Sequence, residues 1–350
     1  MSGAGAGEPT LDPADMNDRA DHVLPFRLEQ SGALGRLARL GTSVDAILTR
    51  HDYPDAISNV LGEALVLAAL LGAGLKQQSR FTLQTQTNGP LNFLVVSFDW
   101  PDALRGYATF DPEAFAALDD GAPQGQLLGS GHLAMTIVPG GTSADELGQQ
   151  YQGIVAMEGQ SLVEAAHTYF VQSEQLPTQI NVAVAKHFEA GRSEATNGRA
   201  SGAADGWQWR AGGLIVQKLT WEGGKKRAEV SPGDENNLPP DWEDDDDWVR
   251  TRMLADTVEA HELTDPLLTG PRLLYRLFHE EGVRVFDGRP MVEQCTCSRD
   301  RVARVLARFP VGELDDTQRD DGAVHVTCEF CGRVYRFEKD EVEALEKGAA

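Results

Sequence analysis

The stretch Cys295-Thr-Cys297, followed after residues 298–327 by Cys328-Glu-Phe-Cys331, contains all four cysteines of the 350-residue chain. Two tight pairs on either side of a spacer can place four sulfurs around one ion. Zn²⁺ prefers four-coordinate tetrahedral sites built from thiolates. A two-pair pattern of this kind reads as a metal site before it reads as a disulfide framework. The second pair has the spacing of an ordinary zinc knuckle. The first has one residue between its cysteines, where about two to four is usual.

The unit carrying the pairs, residues 282–350, is poor in large apolar side chains: Val283, Val285, Phe286, Val302, Val305, Leu306, Phe309, Val324, Val326, Val334, Tyr335 and Phe337. A core of that size rarely supplies more than ~3–5 kcal/mol. Structural Zn²⁺ contributes an apparent ~10–16 kcal/mol in zinc-finger peptides. The metal contribution is the larger, so the unit is expected to fold with zinc and unfold without it. Ligation also holds each sulfur as thiolate, the form that reacts with oxidants. Oxidation to sulfenic acid, then to a disulfide with a near neighbour, is the first reversible step. Each cysteine has such a neighbour, and a disulfide removes two ligands. Spacing and size thus describe a peroxide-sensitive folding switch, without saying what is switched.

The competing reading is an inert structural zinc, the commoner use of four cysteines. The close Cys-x-Cys pair, with its charge repulsion and its ready disulfide partner, speaks for a sensor. His325, three residues before Cys328, could ligate, but four thiolates already fill a tetrahedron, and it reads as a strand histidine. His51, His167 and His279 have no partner pattern and read as structural.

Upstream, residues 248–281 have a helical pattern. Leu273, Leu274, Leu277 and Phe278 share one face, and Leu254, Val258 and His261 form a narrower one. Such short amphipathic helices need something to lie against. Residues 223–247, with three prolines and the run Glu243 to Asp247, read as a solvated linker. Residues 22–222 read as an α+β core. Ser43 to Gln77 is helical, with a turn at His51-Asp-Tyr-Pro54 before an apolar helix through Val60, Leu61, Ala64, Leu65, Leu67 and Leu71. That helix is expected to be buried on most faces. The alternation Phe81, Leu83, Thr85 and the turn Asn88-Gly89-Pro90 predict an antiparallel hairpin. Further strands at 104–110, 132–138, 152–158, 180–185 and 213–219 complete the expected sheet. Ser161-Leu-Val-Glu164 is a capping box opening a helix that Pro177 ends. Residues 191–206 read as a loose loop, and residues 1–21 as a disordered tail.

Net charge is −23, from 54 acidic and 31 basic residues, which repels phosphate backbones and argues against nucleic acid as partner. No basic start and apolar run mark a signal peptide. The apolar stretch Val60 to Leu75 is interrupted by Glu63 and falls short of the roughly 20 residues that a membrane span needs. A cytoplasmic chain is expected, in which paired cysteines stay reduced and serve metal or redox chemistry.

With these residues in view, Cys295-Thr-Cys297-Ser-Arg-Asp-Arg301 and Cys328-Glu-Phe-Cys331-Gly332 resemble the signature of the Hsp33 family, the redox-regulated bacterial chaperones. The resemblance extends to His51-Asp-Tyr-Pro54, Asn59-Val-Leu-Gly-Glu63, Gln150-Tyr-Gln-Gly153, Glu158-Gly159, Tyr169 to Thr178, Ala211-Gly-Gly-Leu214 and Leu277-Phe-His-Glu-Glu281. It covers roughly residues 22–345. It implies an α+β core of sheets with packed helices, a regulatory helical linker at 223–281 and a zinc domain at 282–350. It implies a holdase for unfolded proteins and not an enzyme, inactive when reduced and zinc-bound. Carried over, Cys295, Cys297, Cys328 and Cys331 ligate one Zn²⁺, and the oxidised form has Cys295–Cys297 and Cys328–Cys331 disulfides and dimerises. The glycine-rich tail, the insertion at 191–206 and the more acidic linker start depart from the family.

Two readings of other classes remain. One is a regulatory binding module with an inert zinc site. The other is a thiol-disulfide oxidoreductase using Cys328 and Cys331, which needs a thioredoxin-like βαβ context that the sequence lacks.

Overall fold

Apolar residues at alternate positions build strands, and here they build two sheets around one helix. The computed structural model describes residues 21–76, 78–140, 150–188, 206–218, 245–309, 322–342 and 344. Of the expected tail at 1–21 the structure describes Asp21, which is buried and accepts from the Gly41 and Thr42 N–H groups at 2.6 and 3.1 Å; residues 1–20, most of the 191–206 loop and the acidic run before Asp245 lie outside the described residues. The chain opens with β1 (His22–Leu28) and β2 (Leu34–Leu40), then α1 (Thr42–Leu48) and α2 (Asp55–Gly72). Next come β3 (Arg80–Thr87), β4 (Leu91–Asp99), β5 (Ala103–Phe110), the short helices α3 (Pro112–Ala116) and α4 (Gln124–Leu128), β6 (Ser130–Val138) and β7 (Tyr151–Glu158). Helix α5 (Leu162–Tyr169), prolonged by a π-helical turn at Phe170–Glu174, leads to β8 (Thr178–Phe188) and β9 (Trp207–Gln217). After the acidic run come α6 (Asp246–Asp256), α7 (Ala260–Thr264), α8 (Gly270–Phe278) and the short strands β10 (Val283–Val285), β11 (Arg289–Pro290) and β12 (Val292–Glu293). Helix α9 (Arg299–Leu306) and the hairpin β13 (Val324–Thr327) and β14 (Val334–Phe337) follow.

The fold is α+β, as expected, and the core strands form two six-stranded sheets. One runs β10-β1-β2-β9-β8, with β11 also on β1. The other runs β12-β5-β4-β3-β6-β7. Pairing is antiparallel except where β12 lies parallel to β5. Alternation fixes which face of a strand is buried and leaves its partner open. Here β9 pairs with β2, and β8 with β9, and neither joins the meander.

Helix α2 packs against strands of both sheets. Its side chains from Ile57 to Leu70 are apolar nearly all round, and nearly all are buried. By length and composition it could cross a membrane, with mean hydropathy 1.5 over 18 residues, but 72% of it lies inside the fold. The capping box at α5 forms as expected. Ser161 Oγ accepts from the Glu164 N–H at 3.2 Å, and Glu164 Oε2 accepts from the Ser161 N–H at 2.7 Å.

The outer face of the first sheet carries Leu24, Phe26, Leu28, Leu37, Leu214 and Val216, and α6 to α8 cover it. Leu273, Leu274, Leu277 and Phe278 of α8 are all buried there, as their shared face predicts. Phe278 stacks on Phe26 at 5.6 Å. Gly35 lies opposite Phe26 in the β1–β2 ladder, and the Phe26 ring fills the place of its missing Cβ, with Cζ 2.1 Å away. Helix α6 differs from expectation. Its buried residues are Trp248, Thr251 and Ala255, while Leu254 and Val258 sit at the flank and His261 is exposed. Charge on both sides of Leu254 hid the small residues that make the contact. Two buried cations of the sheet pin α7: Arg39 Nη1 donates to Glu262 O at 3.2 Å, and Arg210 Nε donates to Thr264 O at 3.1 Å.

Residues 283–293, which composition groups with the cysteines, pair instead with the body. Strands β10 and β11 add to β1, and β12 adds to β5. The Gln294 N–H donates to Leu104 O at 3.1 Å, the last such link before the first cysteine.

Candidate metal centre

Each cysteine pair is presented by a defined turn. Cys295 and Cys297 end the chain's run along β5 and precede α9. Ser298 caps that helix by accepting the Arg301 N–H at 3.2 Å. Arg301 then reaches back. Its Nη1 donates to the Thr296 carbonyl at 2.9 Å and to Thr296 Oγ1 at 2.8 Å, fixing the residue between the cysteines. The second pair forms the tip of the β13–β14 hairpin. The Cys331 and Gly332 N–H groups donate to Cys328 O at 3.3 and 2.7 Å, and the Cys328 N–H donates to Arg333 O at 2.9 Å. Gly332 has φ +66, a left-handed conformation that costs glycine least. Beneath the turns lie Leu306, Val324, Tyr335, Phe337 and Val342, a core of five buried side chains, with Cys297 and Cys328 packed against it.

The four Sγ atoms all lie within 4.8 Å of one another. Cys295 and Cys328 sulfurs are 3.7 Å apart, and Cys297 and Cys331 sulfurs 3.3 Å. A tetrahedron with bonds of about 2.3 Å has edges of about 3.8 Å, so the four sulfurs fit such an ion. All four cysteines are free, at distances well beyond the ~2.05 Å of a disulfide. Both of these short sulfur contacts run between the pairs, not within them. His325 pairs with Arg336 in the hairpin ladder and takes no place in the sulfur cluster.

The electrostatics point the same way. Burial pushes the Cys295 and Cys331 thiols up, and the adjoining sulfurs add to it, since neighbouring thiolates repel. Burial acts on Cys297 too, but the Tyr335 hydroxyl donates to its sulfur at 3.0 Å and the neighbouring thiols also stabilise the thiolate, bringing it down to about 7. Four crowded sulfurs do not ionise together unless a cation shares their charge. Size, donor type and charge therefore describe a metal site.

The site does not stand apart from the body. Phe330, between Cys328 and Cys331, lies edge-on to Tyr107 of β5 at 4.9 Å and under the Arg105 guanidinium at 4.5 Å. Arg50 Nη1 donates to Phe330 O at 3.0 Å and pairs with Glu293 at 3.0 Å. His51 stands against the backbone of Glu329 and Phe330, and its imidazole is depressed chiefly by burial, with Arg50 adding to it. Sequence reasoning left His51 without a partner because its partners, Glu329 and Phe330, lie at the other end of the chain. Arg50, Arg105 and Tyr107 gave no signal in the sequence, and Tyr335 appeared only as a core residue.

The comparisons agree with this geometry. The model of the Hsp33 protein family matches residues 21–338. A 33 kDa chaperonin of Caulobacter vibrioides is 38% identical over 321 residues, covering 91% of this chain and 95% of that protein. One from Nitrosococcus oceani is 35% identical over 333 residues, covering 94% and 95%. Among solved structures, the 33 kDa chaperonin of Thermotoga maritima superposes with a TM-score of 0.65 at 21% identity, over 93% of this chain and 98% of that one, a likeness of fold. From the sulfur cluster, the paired sheets and these relatives together, the chain belongs to the Hsp33 family.

Proposed function

We propose that this chain is a redox-regulated chaperone of the holdase type, acting in the cytoplasm on unfolded proteins and catalysing no reaction. Residues 22–222 form the core and 223–281 the regulatory linker. Residues 282–350 carry the switch, of which the part after Glu293 is the small unit that opens while 283–293 stay paired with the body, and 1–21 form a tail. In the reduced state Cys295, Cys297, Cys328 and Cys331 hold one Zn²⁺, which would supply a cross-link for a unit whose core cluster has five buried side chains among the described residues. Peroxide converts Cys295 with Cys297, and Cys328 with Cys331, to disulfides. Each disulfide consumes two thiolates, two protons and one peroxide, and yields two waters. The ligands are then gone and the small unit loses its order. The active form pairs as a homodimer, as the family implies.

One observation carries this reading. Helices α6 to α8, directly upstream of the cysteines, cover an apolar sheet face. Short helices held by a single face open at low cost, and the face beneath suits an unfolded chain. The test is to treat zinc-loaded protein with peroxide under mild heat and follow metal release together with the aggregation of a heat-labile test protein. Metal release with suppressed aggregation supports the proposal. Release without suppression overturns the chaperone reading, and retention of the metal leaves an inert zinc site in a binding module.

A further inference from the structure

The cleft that receives Phe330 is built from the body of the protein, not from the cysteine unit. Arg50 and His51 follow α1, and Arg105 and Tyr107 belong to β5. It offers three things at once. The Tyr107 edge and the Arg105 face enclose an aromatic ring. Arg50 donates to the carbonyl of the same residue. Its charges are largely balanced, since Glu293 pairs with Arg50 and Asp99 lies 3.7 Å from Arg105 Nε. It therefore selects for a ring attached to a peptide backbone, and not for an anion. The cleft is also anchored from behind, because Tyr107 packs on Phe93 at 5.9 Å and His51 on Tyr53 at 5.3 Å. Tyr53 in turn exchanges hydrogen bonds with Ala108 at 2.9 and 3.0 Å. Its shape thus does not depend on the cysteine turn.

The hydrogen-bonded Cys328–Cys331 turn carries Phe330 into this cleft. We infer that this cleft is an aromatic-binding site, occupied at rest by Phe330 and, once the cysteine turn opens, by an aromatic residue of an unfolded polypeptide. The inference rests on the chaperone reading and adds to it a named contact. The knuckle acts as an internal stand-in for the partner, so opening the switch vacates the site at the moment that partners are present.

The experiment uses the full-length, reduced chain and a fluorescent peptide, acetyl-Gly-Glu-Phe-Gly-amide, with a Leu-for-Phe peptide as control. Phe330→Ala is expected to bind the Phe peptide at least tenfold tighter than the wild type, and the Leu peptide less well. Adding Tyr107→Ala or Arg105→Gln to Phe330→Ala is expected to abolish the gain. If Phe330→Ala also releases the metal, the cleft is vacant all the same, and binding must still appear. Equal binding by wild type and Phe330→Ala overturns the inference, as does a gain that survives loss of Tyr107. Oxidised Tyr107→Ala holding a heat-labile protein as well as oxidised wild type overturns it too. If oxidised wild type suppresses no aggregation, the chaperone reading fails, while the peptide comparison still decides whether the cleft takes aromatic residues.

Discussion

Phe278→Ala tests whether the helices before the cysteines open independently of the core. The ring is fully buried, stacks on Phe26 at 5.6 Å, and closes the α8 face over the first sheet. Truncating a buried phenylalanine to alanine costs about 3–5 kcal/mol. Helix α8 has nine residues, below the roughly 12–15 at which an isolated helix persists in water. It is held by that face and little else. If the loss falls on local opening of 270–281, the open fraction rises roughly 10²–10³·⁵-fold, at about 1.4 kcal/mol per tenfold. Amide hydrogen exchange on the zinc-loaded, reduced protein reads this directly. Amides of α8 are expected to exchange faster by about that factor, while those of α2 keep their protection. The same sample, without oxidant, is expected to slow the aggregation of a heat-labile protein. Equal acceleration in α8 and α2 refutes the reasoning, because the helices and the core then open as one unit.

Three further outcomes follow from particular contacts. Gly35→Ala drives a methyl group into the Phe26 ring; overpacking of this kind costs about 1–3 kcal/mol, and faster exchange in α8 without metal loss is expected, since Phe26 is the ring that Phe278 stacks on. Glu63 in α2 has its carboxyl raised by burial, opposed by a hydrogen bond from Gln124 at 2.9 Å. Its folded-state value lies above the unfolded one, so its contribution is full at low pH and is lost as pH rises through the folded value. Glu63→Gln is therefore expected to melt higher than wild type at neutral pH, with the difference closing below about pH 4, as differential scanning calorimetry across pH would show. Tyr335→Phe removes the hydroxyl that donates to Cys297; competition against a chelator is expected to show about tenfold weaker zinc affinity, with the ultraviolet circular dichroism of the loaded protein unchanged.

Local pattern in the chain announced most of the elements. The apolar run of α2, the capping box at Ser161 and the shared face of α8 each follow from spacing within a few turns, and each stands in the structure as read. The four cysteines were legible for the same reason, because only a few residue types can gather a soft cation. What the sequence concealed was pairing at long range. Strand alternation did not say that β9 lies between β2 and β8, or that β12 joins β5. Nor did it bring Arg50, His51, Arg105 and Tyr107 to the cysteine turn, since each is an ordinary surface or strand residue until position 330 arrives. The face of α6 was misplaced because Thr251 and Ala255 make close contact through small size, which hydropathy does not register.

The short strands after α8 have a mechanical consequence. Helices α6 to α8 are stitched to the sheets at both ends, by β9 before them and by β10, β11 and β12 after them. Whatever happens to the sulfurs, this stretch can buckle outward but cannot drift off. In the proposed opening its return is a unimolecular recoil onto the first sheet, with an effective concentration of about the mM order that short tethers provide. Under the proposed redox cycle, resetting requires reduction and remetallation of one small lobe, with the rest of the polypeptide already waiting in register.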